Sequence, residues 1–159
     1  MLGHLPRPLL RALQHASHLW FRLARPLTMG VRAVALDKQG CVFLVRHSYL
    51  PGWHLPGGGV EVGETALEAL ARELREEGHI ELTGAPVLHG VYLNTFVTKR
   101  DHVLVYVARD VAQTHPRGAD WEIAESGFFP VDHLPEGTAR ASRARLKEVL
   151  EGAPVSAVW

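Results

Sequence analysis

The stretch from Leu55 to Glu77 places the strongest constraint on the fold. It opens on a run of three glycines, Gly57 to Gly59, and ends in the acid-rich segment Arg72-Glu73-Leu74-Arg75-Glu76-Glu77. Between them, Thr65 and Glu68 have the Thr-x-x-Glu spacing of a capping box, in which each side chain bonds the backbone N–H of the other residue. The sequence therefore predicts a glycine-rich loop followed by a helix that begins after Thr65 and runs to Glu77.

This helix is predicted to carry two different faces, because residues at i, i+3 and i+4 lie side by side on a helix. The acidic face comprises Glu73, Glu76 and Glu77, with the small residues Ala66 and Ala69 earlier on the same side. The apolar face, which we expect to pack on the core, comprises Leu67, Leu70, Ala71 and Leu74.

The three carboxylates of the acidic face would repel one another unless a cation lay between them. Hard divalent cations prefer oxygen ligands, and Mg²⁺ typically binds a few carboxylates together with phosphates and waters. A solvated acidic surface is the alternative interpretation of these residues taken alone. The glycine loop before the helix favours the metal site, since glycines allow a backbone to approach a ligand closely.

The spacing of Gly58, Glu64, the segment 72–77 and Ile80 resembles the Nudix box, which would cover 23 of the 159 residues. One position departs from the family pattern. His79 stands where the family usually has glycine, and a glycine occurs one place earlier, at Gly78. A glycine after a helix commonly adopts the left-handed conformation that ends it. We therefore expect Gly78 to end the helix with a positive φ, which would re-aim Glu77.

The resemblance implies an α/β fold, the Nudix α/β/α sandwich, with a mixed β-sheet between helices. It also implies Mg²⁺- or Mn²⁺-dependent hydrolysis of a nucleoside diphosphate linked to another moiety. Carried over by position, the metal ligands are Glu73, Glu76, Glu77 and the backbone carbonyl of Gly57. Arg72 would pair with Glu76 and hold the carboxylates in place, and Glu64 would stabilise the loop without binding metal.

The remaining candidate site residues are each open to two interpretations. Many members of the family add a distal glutamate as a base or an extra ligand. Glu122 is the first candidate for this catalytic role and Glu125 the second, and both also fit ordinary loop acids. Arg46 fits either a phosphate contact or a surface ion pair. Tyr49 and Trp53 either stack on a base of the substrate or pack their loop against the core.

Outside this region, the pattern of apolar residues predicts interleaved strands and helices. Strands are expected at residues 30–37, 41–45, 87–93, 102–109 and 127–131, a helix at 138–150 and a loop at 111–125. We expect one Nudix domain over residues 27–159, preceded by an amphipathic helical arm over residues 1–26.

The arm carries four arginines and no acidic residue. The favoured interpretation is that it packs on the domain or on a second subunit, which would give a homodimer. The alternatives are a helix that binds an anionic membrane surface and an organelle transit peptide.

Composition narrows the classes of function and the compartment. The formal net charge is zero, which argues against general nucleic-acid binding through a basic surface. The single cysteine, Cys41, cannot form an intramolecular disulfide. No apolar run approaches the roughly 18 residues of a membrane span. We therefore expect a cytoplasmic protein that is not integral to a membrane and acts on a small nucleotide.

The alternative to an enzyme is a catalytically inactive Nudix-fold module that binds nucleotides for regulation. Turnover with Mg²⁺ distinguishes the two.

Overall fold

The structure, a computed structural model, describes residues 26–96, 98–109 and 111–159. The predicted N-terminal arm, apart from its last residue, therefore lies outside the described residues. The described elements, in chain order, are β1 (Thr28–Leu36), β2 (Val42–His47), α1 (Ala66–Gly78), β3 (Ile80–Glu81), β4 (Val87–Asn94), β5 (Asp101–Arg109), β6 (Ala112–Gln113), β7 (Ile123–Phe129) and α2 (Arg140–Glu151). Within these ranges, no helix is both long enough and apolar enough to cross a membrane.

Five strands form one sheet in the order β4-β5-β1-β2-β7. β1 and β5 run parallel, with Thr28 opposite Asp101, and the other neighbours run antiparallel. β3 and β6 form a separate two-stranded sheet. The predicted mixed sheet is therefore confirmed.

The side-chain alternation of β1 explains why helices cover both faces of the sheet. Val31, Ala33 and Ala35 belong to the core cluster that contains Leu70 and Leu74 of α1. Val34 and Leu36 point the other way, into the cluster that contains Leu146 of α2. Both faces of the strand are apolar, as expected for a sheet buried between two layers. This arrangement confirms the α/β/α sandwich.

The predicted loop at residues 111–125 is partly wrong. Ala112 and Gln113 pair with β3, and β7 begins at Ile123, which lies opposite His47. A two-residue strand is too short to produce a periodic pattern, so β6 left no signal in the sequence. β7 ends at Phe129, before Pro130, because proline cannot donate a ladder hydrogen bond.

The apolar face predicted for α1 is rotated from the one observed. Leu67 is half-exposed, whereas Ala69, which was placed on the acidic side, is fully buried with Leu70 and Leu74. The buried side of the helix also includes Glu77. Two of the three acidic residues thus lie beside the core-facing surface, and only Glu76 is exposed to solvent.

The prediction that Gly78 ends α1 with a positive φ is wrong. The helix continues through Gly78, and His79 adopts the left-handed conformation, with φ 52° and ψ 38°. Its backbone N–H donates to the carbonyls of Leu74 and Arg75. Gly78 is required for space instead, because a Cβ there would lie 2.7 Å from the ring of Phe43.

Candidate active site

The glycine loop lies between β1 and the acidic side chains of α1. The Val31 N–H donates to the Gly58 carbonyl at 2.9 Å, which ties the loop to the sheet. Gly57 has φ 138°, and a Cβ on it would overlap the Val31 carbonyl. A Cβ on Gly58 would overlap the carboxylate of Glu73. Gly57 is thus needed for close approach, in agreement with the sequence argument, whereas a side chain at Gly58 would displace the flexible end of Glu73.

Arg72 joins the loop to the acidic residues. Its guanidinium contacts Glu64 at 2.9 Å, Glu73 at 2.6 Å and Glu76 at 3.4 Å. It also donates to the carbonyl of Gly59 at 3.0 Å. The predicted contact with Glu76 is therefore present. The hydrogen bonds that Arg72 donates to Glu64 hold the pKa of Arg72 above its usual range and lower the pKa of Glu64.

Glu64 also fixes the loop. Its Oε2 accepts from the backbone N–H of Glu61 at 3.0 Å. Thr65 and Glu68 exchange both bonds of the capping box, which starts α1 where the sequence predicted. These contacts fix the first turn of the helix relative to the loop.

Glu77 is buried in a pair with a histidine that the sequence argument missed. Glu77 Oε2 accepts from the Gly57 N–H at 2.7 Å, and Oε1 lies 3.5 Å from Nε2 of His47. Burial raises the pKa of Glu77 to about 8 and lowers the pKa of His47 to about 4. Without a bound cation, burial therefore favours the neutral form of both side chains.

Four carboxylates line one cavity of about 370 Å³, here called the carboxylate cavity. Its walls are formed by Glu73, Glu76, Glu77 and Glu122, together with Arg75, His79, Arg117 and Ile123. Burial raises the pKa of Glu73 as well. Of the two distal candidates, Glu122 lies in this wall. Glu125 instead pairs with Arg46 at 2.8 Å on the surface.

The side chains of this cavity fit a hard divalent cation by their chemistry, because all four acids offer oxygen ligands and one is buried. In the part of the chain that the structure describes, no three Asp, Glu, His or Cys side chains already stand close enough to share one ion. Glu76 has 60% of its side chain exposed, and its contact with Arg72, at 3.4 Å, is the longest of the three that this arginine makes with acidic residues. The Gly57 carbonyl, the fourth predicted ligand, accepts a hydrogen bond from Arg32.

The three predicted substrate-binding residues have different surroundings. Trp53 is buried in the α2-side core, where its ring meets Phe129 edge-on at 4.8 Å. Its burial favours the packing interpretation over stacking on a base. Arg46 forms the surface ion pair with Glu125. Tyr49 remains exposed, with its ring 5.2 Å from that of His47.

Two arginines beside the site were also missed. Arg32 donates to the carbonyls of Leu55 and Gly57, so it fixes the other side of the glycine loop. It is the one charged residue in the apolar sequence of β1, which is the signal that could have identified it. Arg117 donates to the Glu76 carbonyl at 2.9 Å and pairs with Asp120. Its irregular loop gives no comparable sequence signal.

A larger and more apolar cavity, of about 1020 Å³, lies on the α2 side of the sheet and is here called the α2 cavity. Arg32 and Leu55 form part of its wall, and Arg32 donates to the Leu55 carbonyl. Phe96 and Trp159 provide its large aromatic side chains.

Known proteins and a family model resemble this chain in sequence. The family model described as NUDIX domain matches residues 26–150. An RNA pyrophosphohydrolase of Xanthomonas campestris is 43% identical over 61 residues, 35% of this chain and 30% of that protein. An ADP-ribose pyrophosphatase of Methanocaldococcus jannaschii is 34% identical over 112 residues, 65% of each protein. The chain thus spans about a third of the first relative and two thirds of the second.

Among solved structures, a MutT NUDIX hydrolase from Burkholderia pseudomallei superposes with a TM-score of 0.65 at 27% identity. The match covers 77% of this chain and 97% of that one.

Proposed function

Because the chain belongs to the Nudix family, we propose that it is a hydrolase of phosphoric anhydrides. Its substrate would be a nucleoside diphosphate linked to another moiety, and Mg²⁺ or Mn²⁺ would be its cofactor. One observation carries this proposal: four carboxylates face a single cavity, and one of them, Glu77, is buried. The named relatives, a pyrophosphohydrolase and a pyrophosphatase, support the same class of reaction.

The residues that would hold the cation are Glu73, Glu76 and Glu77, with the Gly57 carbonyl as a further ligand once Arg32 releases it. A bound divalent cation offsets the charge of the phosphates and lowers the pKa of an attacking water. Arg72 holds Glu73 and Glu76 in position through the contacts described above. A carboxylate side chain can take a proton from water when it lies within hydrogen-bond reach, and Glu122 is the candidate for this role.

The other side chains of the cavity fit the charge of the substrate. Arg75 and Arg117 lie in the same wall as the acids, where they can contact the oxygens of a phosphate chain. Arg46 could do so only by leaving its pair with Glu125, so we assign it a secondary role.

The test is a panel of nucleoside diphosphate derivatives and nucleoside triphosphates, assayed with Mg²⁺ and with Mn²⁺ for release of phosphate or nucleotide. Glu76→Gln should lower turnover by at least about 100-fold, because an amide replaces a charged ligand. Glu151→Gln, an exposed change at the end of α2, is the matched control. Near-normal turnover by a folded Glu76→Gln protein would contradict the mechanism. Nucleotide binding by the wild type with no turnover of any compound would favour the inactive module.

A further inference from the structure

Two exposed aromatic side chains belong to segments that adjoin the carboxylate cavity. Trp121 is 82% exposed and Tyr49 is 67% exposed. Trp121 directly precedes Glu122, which lies in the wall of that cavity. Large aromatic side chains lose a favourable burial energy when they stay in water, so such a pair next to a polar cavity suggests a ligand surface.

Ser48 joins the loops that carry these two rings. Its backbone N–H donates to the Glu122 carbonyl at 2.9 Å, and its Oγ donates to the Trp121 carbonyl. Tyr49 follows Ser48 directly in the chain. The two aromatic residues are therefore attached at one point of the structure, next to Glu122 of the cavity wall.

The loop that carries Trp121 is held by several bonds. Asp120 Oδ1 accepts from the backbone N–H groups of Glu122 at 2.9 Å and Ile123 at 2.7 Å, and its other oxygen pairs with Arg117. The hydrogen bond from Ile123, followed by that from Arg117, holds the pKa of Asp120 down to about 2. Trp121 thus belongs to a loop whose backbone is held by these bonds, and such preorganisation reduces the entropy that binding costs.

The environment of Tyr49 agrees with this placement. Burial raises the pKa of its hydroxyl, and the carboxylates of Glu122 and Glu77 raise it further. The tyrosine hydroxyl is therefore close enough to the acids of the cavity to interact with them electrostatically, while most of its ring faces solvent.

We propose that Trp121 and Tyr49 form a stacking site for the nucleobase of the substrate, outside the carboxylate cavity. The proposal rests on the proposed function, since the phosphates must occupy the cavity for the base to reach these rings. Stacking on aromatic rings is tolerant of base identity, because every base has a π-face. The site would accordingly contribute affinity for nucleotides in general and discriminate weakly among bases.

The experiment compares Trp121→Ala and Tyr49→Ala with Phe96→Ala, using ADP-ribose and GTP with Mg²⁺. Phe96 is the matched control because it is 91% exposed but lines the α2 cavity. We expect KM to rise about 5-fold or more in each of the first two variants, since stacking is worth roughly 1–3 kcal/mol per base. The kcat value should stay within about 2-fold of the wild type, because stacking binds substrate and transition state alike.

Inorganic triphosphate separates stacking from a structural effect, because it has phosphates but no base. Its inhibition constant should be the same in the wild type and in Trp121→Ala, and Trp121→Phe should restore most of the nucleotide affinity. A parallel loss of triphosphate affinity would show that Trp121 only shapes the cavity and would overturn the proposal. So would a rise in KM caused by Phe96→Ala and not by Trp121→Ala, which would place the base in the α2 cavity.

Calorimetric titration of ADP-ribose in the presence of EDTA keeps the two proposals distinguishable. If the wild type hydrolyses none of the compounds but binds ADP-ribose more tightly than Trp121→Ala does, the stacking site stands and the proposed activity fails. If hydrolysis occurs and Trp121→Ala leaves KM and affinity unchanged, only the stacking site fails. A wild type that neither hydrolyses any of the compounds with Mg²⁺ nor binds ADP-ribose in either condition overturns both.

Discussion

Substitution of Glu77 tests whether the carboxylate cavity is built for a cation. The residue is 5% exposed, and burial raises its pKa from 4.5 to about 8. Below about pH 4.5 the carboxyl is protonated in the folded and the unfolded protein, so it has no effect on stability. Between this pH and about pH 8 the unfolded chain ionises and the folded one does not. Stability is therefore lost as the pH rises through this window.

The structure gives the size of this effect. Because one pKa unit corresponds to about 1.4 kcal/mol, the difference between 4.5 and about 8 corresponds to a loss on the order of 5 kcal/mol above pH 8. Glu77→Gln removes the titrating proton but keeps an oxygen that accepts from the Gly57 N–H, a bond of 2.7 Å in the native protein. In EDTA, we expect the variant to be more stable than the wild type by at least about 2 kcal/mol near pH 8.5, and nearly equal near pH 5.

Mg²⁺ should reverse the order of stability near pH 8.5, so that the wild type becomes more stable than Glu77→Gln. A ligand that binds only the folded state stabilises it by mass action, and the ionised Glu77 would be part of its site. Urea unfolding followed by tryptophan fluorescence, with and without Mg²⁺, measures both effects. Glu76→Gln is the control for pH, because its exposed carboxylate has no burial cost to relieve. The reasoning is refuted if Glu77→Gln in EDTA is less stable than the wild type at every pH, or if Mg²⁺ stabilises both proteins equally.

The remaining predictions concern the helix end and the arm. His79→Gly should raise the unfolding free energy by up to about 1 kcal/mol, because glycine adopts a positive φ without strain. The gain is reduced by loss of the contact between the His79 and His115 rings, whose centroids are 3.8 Å apart. Gly78→Ala should lower the unfolding free energy by about 1–3 kcal/mol, because the new methyl group meets the ring of Phe43. An unchanged free energy in the same urea assay would contradict the packing argument. Deletion of residues 1–25 should lower the melting temperature or change the mass in light scattering, with Mg²⁺-dependent stabilisation retained. Sedimentation of the full-length protein with anionic vesicles, lost on deletion, would instead favour the membrane interpretation.

Features fixed by neighbours in the chain could be predicted from the sequence. The capping box of Thr65 and Glu68 sets the start of α1, and the i,i+4 spacing brings Arg72 to Glu76. The need for glycine at Gly57 was also predicted, and its φ of 138° and its close approach to the Val31 carbonyl agree with that prediction.

Features fixed by distant residues could not be predicted in this way. The rotation of α1 is set by packing on β1 and β2, and helical spacing alone placed Leu67 inside and Ala69 outside. The partner of Glu77 is His47, thirty residues earlier and on another element. The sequence offered equal reasons for Tyr49 and Trp53 to bind a base, and only the fold shows that Trp53 is in the core.

The displaced glycine illustrates how a local departure from a family pattern can leave the site intact. If Gly78 had ended the helix, Glu77 would have lain in a distorted last turn. Instead Gly78 stays helical, with Phe43 in the space that a side chain would need, and His79 takes the left-handed position and lines the cavity. Glu73, Glu76 and Glu77 therefore keep the i, i+3, i+4 relation of a regular helix. The strain at His79 falls on a residue that the proposed chemistry does not use, so His79→Gly should change stability without changing the position of the three carboxylates.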